Sequence, residues 1–172
     1  MEEQLGVLAE ISVGLVGFSS VLVVFRRRSA SGDWKPEDAF RFKLMLEAGL
    51  AAGALAILPA AIVGLGVPTS QLWPSLCALL LGYELFDLVA KRRQVGRLPP
   101  EVLSRALSNF VLVAKACVVA VQALSIADWV VPRGPGAYVF GVTWLTIYSG
   151  LTFYRLVTAP IVASAADASP ND

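Results

Sequence analysis

The sequence predicts an all-α integral membrane protein, a bundle of five transmembrane helices. The chain has 172 residues and is 56% hydrophobic, with a mean hydropathy of +0.68. Its apolar residues form five long runs. A bilayer core about 30 Å thick needs about 20 residues of apolar helix, and each run is close to that length. The predicted helices span residues 4–25, 40–65, 72–90, 101–130 and 137–158.

The basic residues predict how the bundle is oriented. Most of the 14 Lys and Arg residues follow the first and third runs, whereas the other two connections carry only Arg133. Because cytoplasmic loops hold the excess of Lys and Arg, we expect the N-terminus outside, five crossings and the C-terminus inside. The basic residues of the two inner connections are Arg26, Arg27, Arg28, Lys35, Arg41, Lys43, Lys91, Arg92, Arg93, Arg97 and Arg105.

One transmembrane domain is expected to cover residues 1–162, because the five runs leave no room for a separate soluble domain. Residues 163–172 are small and polar and are expected to be disordered. The predicted location is the plasma (cytoplasmic) membrane, as a multi-pass protein. Its expected partners are the lipid bilayer and anionic headgroups at the inner face, which the basic loops attract. Nucleic acid is not expected, since no basic face exists outside these loops.

The sequence offers little support for enzyme chemistry. The chain contains no histidine, which removes His-based metal sites and Ser-His triads. Cys77 and Cys117 lie separately inside apolar runs, without a paired ligand motif. Motifs for an activated serine or for phosphate binding are missing as well. We therefore expect no enzyme activity, no catalytic residue, no metal site and no cofactor.

The first helix combines a face of small residues with an acid at its outer end and basic residues at its inner end. An acidic side chain inside a membrane rarely faces lipid, so this face should meet protein or water. It either packs against the other helices or lines a pore formed by several copies. In a pore, a ring of Glu10 would favour cations, and valines would form a gating constriction. The predicted pore-lining residues are Gly6, Glu10, Val13, Gly17, Ser20, Val24, Arg27 and Arg28.

The fourth helix carries a second polar stripe, with Lys115 near its middle. A central lysine costs at least about 2.5–3.5 kcal/mol on insertion scales unless it is paired or hydrated. We expect Lys115 to pair with Glu47 or Glu84, and Arg155 to pair with Asp87. The simplest interpretation is that such a network only fixes the helix register. The predicted intramembrane charge network is Glu47, Glu84, Asp87, Lys115 and Arg155.

The second helix has a face of small residues at spacings of three and four. Small residues let helix backbones approach closely in lipid, so this face is expected to form a tight packing seam. Its members are Gly49, Gly53, Ala56, Ala60 and Gly64.

The function predicted from these features is a homo-oligomeric ion channel that favours cations and is lined by the first helix of each copy. An alternative is a non-conducting scaffold or sensor subunit that binds a partner through its basic cytoplasmic loops. A third hypothesis is a small-solute or proton-coupled carrier that uses Lys115 and Glu47. An oligomer around the first helix would favour the channel. Burial of Glu10 against the fourth helix would favour the alternatives.

Overall fold

The structure, a computed structural model, describes residues 2–29, 36–95 and 105–167. Five helices and the connections 65–68 and 128–134 make up this part of the chain, which contains no strand. The all-α fold class is therefore confirmed. Pro36 and Pro135 each stand at the first helical position, where the missing N–H costs nothing. The helices are α1 (Glu2–Ser29), α2 (Pro36–Gly64), α3 (Thr69–Val95), α4 (Arg105–Ala127) and α5 (Pro135–Asp167).

The observed helices differ from the predicted ranges mainly at their ends. α1 and α3 continue beyond the apolar runs into the basic residues that follow them. α5 continues to Asp167, so residues 163–167, predicted to begin a disordered tail, are helical. The rest of that tail and residues 101–104 of the predicted fourth helix lie outside the described residues.

Two helices end at residues with left-handed backbone. α2 is followed by Gly66, whose φ is 79° and whose N–H donates to the Val63 carbonyl at 2.9 Å. α4 is followed by Asp128, whose φ is 55°. Gly adopts this conformation without strain, and Asp tolerates it better than most residues. These ends lie at the connections 65–68 and 128–134, which are poor in basic residues.

Among the described residues, four helical segments are long and apolar enough to cross a membrane: Glu3–Val21, Ala39–Gly64, Ser70–Lys91 and Asn109–Ala127. They are compatible with a membrane-embedded protein. The predicted fifth crossing, on α5, is not among them. α5 carries several buried residues with hydroxyl groups. The hydroxyl groups of Thr146 and Thr152 donate to backbone carbonyls one turn earlier in the helix. Five crossings and their orientation remain predictions.

α5 is the central element of the bundle, because it packs against each of the other four helices. Its side chains at Tyr138, Val142 and Leu145 are buried in the main apolar cluster. The Tyr138 hydroxyl donates to the Leu55 carbonyl of α2 at 2.6 Å. The cluster also contains residues of α2 and α3: Ala52, Leu55, Ala56, Leu72, Leu76 and Leu80.

The expected packing seam on α2 forms along part of its length. Gly49, Gly53 and Ala56 are buried, whereas Ala60 and Gly64 are exposed. At Gly49 the helices are so close that a Cβ would lie 2.7 Å from Val16 Cγ2 of α1 and 3.0 Å from Ser149 Oγ of α5. Close approach of this kind is what small residues permit between membrane helices.

Candidate functional site

α1 packs against the bundle through a face that lies beside the face of small residues described from the sequence, and not through that face itself. Its buried residues are Leu5, Ala9, Ser12 and Ser19, at steps of four, three and seven. The small face predicted to line a pore is exposed at every position whose side chain is described, namely Gly6, Glu10, Val13, Gly17 and Ser20. The side chains of Val24, Arg27 and Arg28 lie outside the described ones.

The exposed small face is open in a single chain. A Cβ placed at Gly6 or Gly17 would meet no heavy atom within 4 Å. Within the described part of the chain, Glu10 makes no hydrogen bond or ion pair. It does not lie buried against α4, because α1 packs against α2 and α5 and Glu10 is exposed. This carboxylate on an apolar helix therefore has no partner among residues 2–29, 36–95 and 105–167.

A second cluster of polar side chains lies inside the bundle, where α3, α4 and α5 meet. Lys115 of α4 is its centre, about ten residues and hence about 15 Å along the helix from Arg105. Its Nζ lies 2.9 Å from Glu84 Oε2 and contacts Asp87 Oδ2 as well. Asp87 Oδ1 lies 2.8 Å from Lys91 Nζ. We call Glu84, Asp87, Lys91 and Lys115 the charge cluster; its formal charges sum to zero.

The two carboxylates of the charge cluster have different environments. Both oxygens of Asp87 contact a lysine. Glu84 has one ionic contact, between its Oε2 and Lys115 Nζ, and its Oε1 has no partner among the described residues. A buried carboxylate oxygen without a donor is poorly stabilised, since it has lost water and gained no hydrogen bond. Glu84 is thus the less compensated of the two acids.

Tyr148 of α5 forms one wall of the charge cluster. Lys91 Nζ lies 4.7 Å from the centroid of its ring and Lys115 Nζ lies 5.9 Å from it. A cation this close to an aromatic face is attracted by the ring quadrupole. The Tyr148 ring packs in turn against Trp144, with centroids 6.1 Å apart. The Tyr148 ring therefore stabilises both ammonium groups through cation–π contacts.

The pairing inside the bundle differs in part from the predicted one. Lys115 does contact Glu84, one of its two predicted partners. Glu47, the other, instead faces Lys43 one turn away on α2 at 3.6 Å, and both side chains are about half exposed. The predicted pair of Arg155 and Asp87 is replaced, because Lys91 and Lys115 occupy the two oxygens of Asp87.

The part of the α4 polar stripe that follows Lys115 also faces the interior, as its helical spacing predicts. Val118, Gln122 and Ser125 are buried. Gln122 Nε2 donates to the Ala137 carbonyl of α5 at 2.7 Å, and Ser125 Oγ lies 3.4 Å from the Pro132 carbonyl. These contacts attach the C-terminal half of α4 to the start of α5 and to the connection 128–134 that precedes it.

Sequence reasoning missed two members of the interior site, Lys91 and Tyr148. Lys91 was assigned to the basic connection, although it follows Asp87 by four residues, a spacing that pairs opposite charges on a helix. That spacing was a usable signal. Nothing in the sequence singles out Tyr148 among the aromatic residues of α5, because its role depends on where α3 and α4 lie.

No family model matches this chain, and no curated protein or solved structure shows detectable similarity to it. No group of three or more His, Cys, Asp or Glu side chains suited to a metal ion occurs in residues 2–29, 36–95 and 105–167. The function must therefore be argued from the exposed α1 face and from the charge cluster.

Proposed function

We propose that this protein is a multi-pass protein of the cytoplasmic membrane whose copies assemble through the small face of α1 into a cation-favouring pore. The observation that carries the proposal is Glu10, an exposed carboxylate without a partner in the part of the chain that the structure describes. Lipid is an unfavourable environment for it, whereas a water-filled axis or a neighbouring copy is not.

The rest of the small face fits an axis formed by several helices. Gly6 and Gly17 leave room for another backbone, and small residues are typical of helix contacts in membranes. Val13, also exposed, would narrow the path between them. A ring of Glu10 side chains would raise the local cation concentration at the outer mouth. Ser20 is satisfied within α1, since its hydroxyl donates to the Val16 carbonyl at 3.0 Å.

The orientation follows the basic residues, with the N-terminus outside and the C-terminus inside. Lys43 and Arg93 have exposed side chains at the ends of α2 and α3 that this orientation places inside. There they would contact anionic lipid headgroups.

Cross-linking between copies tests the assembly. With Cys77→Ala and Cys117→Ala as background, Gly17→Cys in bilayers should form disulfide-linked dimers under mild oxidation. Phe86→Cys on α3 is the matched control, because Phe86 is also exposed but lies on another helix. Dimers at residue 86 as readily as at residue 17, or at neither, would contradict assembly through α1.

The alternatives have less support in the structure. A carrier based on Lys115 and Glu47 lacks its central contact, because Glu47 pairs with Lys43. A scaffold or sensor would use the basic inner connections, and residues 30–35 and 96–104 lie outside the described residues. Failure of the cross-linking together with a purely monomeric protein in detergent would favour the scaffold.

A further inference from the structure

The arrangement of the charge cluster suggests a role that does not depend on assembly through α1. Its four charged groups alternate in sign and lie in contact from one to the next: Lys91, Asp87, Lys115, Glu84. The exposed fraction of these side chains falls along the series, from 15% at Lys91 through 9% and 6% to 0% at Glu84. The series thus leads from the partly accessible end of α3 into the interior.

We propose that Glu84 is a proton-binding site in the interior of the bundle, loaded from the C-terminal end of α3 through Lys91, Asp87 and Lys115. The ligand is a proton, and its acceptor is the Glu84 carboxylate, whose Oε1 has no partner among the described residues.

The contacts of the two acids distinguish Glu84 from Asp87 as the proton acceptor. Each oxygen of Asp87 is compensated by an ammonium group. Glu84 is fully buried, and only its Oε2 has an ionic contact, whereas its Oε1 has no partner among the described residues. Glu84 Oε1 is therefore the carboxylate oxygen of the charge cluster that is open to a proton. The other ionisable groups around the cluster are Tyr83, Tyr148, Arg155 and, from α2, Glu47.

Each transfer along the series has a defined donor and acceptor. Lys115 gives a proton to Glu84 and becomes a neutral amine. Asp87 accepts a proton from Lys91, its carboxyl group rotates, and it passes that proton to Lys115. Lys91 then regains a proton from water. The net change is one proton taken from solution and bound at Glu84.

The loaded cluster carries one positive charge, which the structure can accommodate. Both ammonium groups face the Tyr148 ring, and a cation near an aromatic face is stabilised, the more so when it is desolvated. The Lys91 side chain is also partly exposed, so water can solvate its ammonium group. Once the transfers are complete, Asp87 is again ionised between Lys91 and Lys115, so the contact between α3 and α4 is present when Glu84 is neutral.

Infrared spectroscopy of the full-length protein in lipid nanodiscs tests the site. As the pH is lowered, a carbonyl stretching band of a buried, protonated carboxylic acid should appear. Its frequency should shift in protein with ¹³C-labelled glutamate and stay constant with ¹³C-labelled aspartate. Absence of the band at every pH at which the protein remains folded, or a shift with the aspartate label instead, would overturn the proposal.

Two variants assign the band to residue 84. Glu84→Asp keeps the acid in a smaller side chain, so the band should move from the glutamate-labelled to the aspartate-labelled sample. Glu47→Gln, which removes a half-exposed carboxylate outside the cluster, should leave the band in place. A band that stays with the glutamate label in Glu84→Asp, or disappears in Glu47→Gln, would contradict the assignment.

The loading route has its own test. Lys91→Arg keeps the positive charge, but a guanidinium does not give up its proton in proteins, so the relay is interrupted. Proton uptake after a pH jump, followed with an indicator dye, should slow several-fold in Lys91→Arg while its final extent is preserved. Lys43→Arg, at an exposed position of α2, should take up protons at the wild-type rate. Equal rates in all three proteins would exclude the route through Lys91.

Discussion

Gln122 of α4 and Gly141 of α5 meet so closely that no side chain fits between them. A Cβ at residue 141 would lie 2.6 Å from Gln122 Nε2 and 2.5 Å from Leu80 Cδ2 of α3. Gln122 cannot move aside without breaking its hydrogen bond to the Ala137 carbonyl, and Leu80 is fully buried. The close packing of α3, α4 and α5 at this point therefore requires glycine at residue 141.

Gly141→Ala should destabilise the bundle by about 1–3 kcal/mol, the usual cost of overpacking. Unfolding in a denaturing detergent, followed by circular dichroism, measures the loss. Gly150→Ala on the same helix is the control, because its nearest neighbour, Leu15 Cδ1, is 3.9 Å from the new methyl group. That variant should be neutral or slightly stabilising, since Ala favours helix over Gly. Equal behaviour of both variants would contradict the close contact.

Lys115→Met should destabilise the protein because it leaves Glu84 without its cation. The loss of unfolding free energy should exceed that of a hydrogen bond between membrane helices, which averages roughly 0.6 kcal/mol. It should approach the cost of breaking a buried ion pair, which is about 3–5 kcal/mol. Adding Glu84→Gln should restore part of the stability, as a double-mutant cycle in the same unfolding assay would show.

The matched control for this cycle is Lys43→Met, which removes an exposed lysine from a pair at 3.6 Å. Exposed pairs contribute about 0–1 kcal/mol, so its effect should be small. Independent, additive effects of Lys115→Met and Glu84→Gln would show that the two side chains do not interact.

Ser149→Ala should weaken the contact of α5 with α2. The buried Ser149 hydroxyl donates to the Met45 carbonyl at 3.0 Å, and its loss should cost about 0.6–1 kcal/mol. Thr158→Val serves as the control, because the Thr158 hydroxyl donates within its own helix, to the Tyr154 carbonyl. The expected order of stability is wild type, then Thr158→Val, then Ser149→Ala; the reverse order would place the stabilising contact elsewhere.

Glu10→Gln should lower the preference for cations without affecting folding. The residue is exposed in the single chain, while a ring of its carboxylates would set the potential at the mouth of a pore. Reversal potentials in planar bilayers under a salt gradient measure the preference, with Glu47→Gln as the control carboxylate on another helix. An unchanged reversal potential in Glu10→Gln, or no conductance by the wild-type protein, would refute a pore lined by α1.

Cysteines at the two ends of α3 should be accessible from opposite sides of the membrane. In the background of Cys77→Ala and Cys117→Ala, Ser70→Cys should react with a membrane-impermeant thiol reagent on intact cells. Arg93→Cys should react only after the cells are permeabilised, because basic residues remain inside. Both side chains are exposed. Reaction of both from outside would show that α3 does not cross the membrane.

The all-helical fold was predictable because long apolar runs have few other solutions in a membrane, where every backbone group must be bonded internally. The inward face of α4 was predictable for a related reason. Lys115, Gln122 and Ser125 lie on one helical stripe. A polar stripe is unfavourable in contact with lipid, whereas an apolar face is not. The small residues Gly49 and Gly53 indicated a packing seam, and they lie in one.

The sequence by itself determined the helices, their approximate limits and the sides that polar residues force inward, because these depend on the local pattern of hydropathy. Only the tertiary structure decided which face of α1 packs, which lysines neutralise Asp87, and that Tyr148 faces both. Those outcomes depend on the depth and rotation of several helices at once. A shift of one residue turns a helix by about 100°, given 3.6 residues per turn, so the partner of a buried charge changes with displacements too small for a hydropathy pattern to specify.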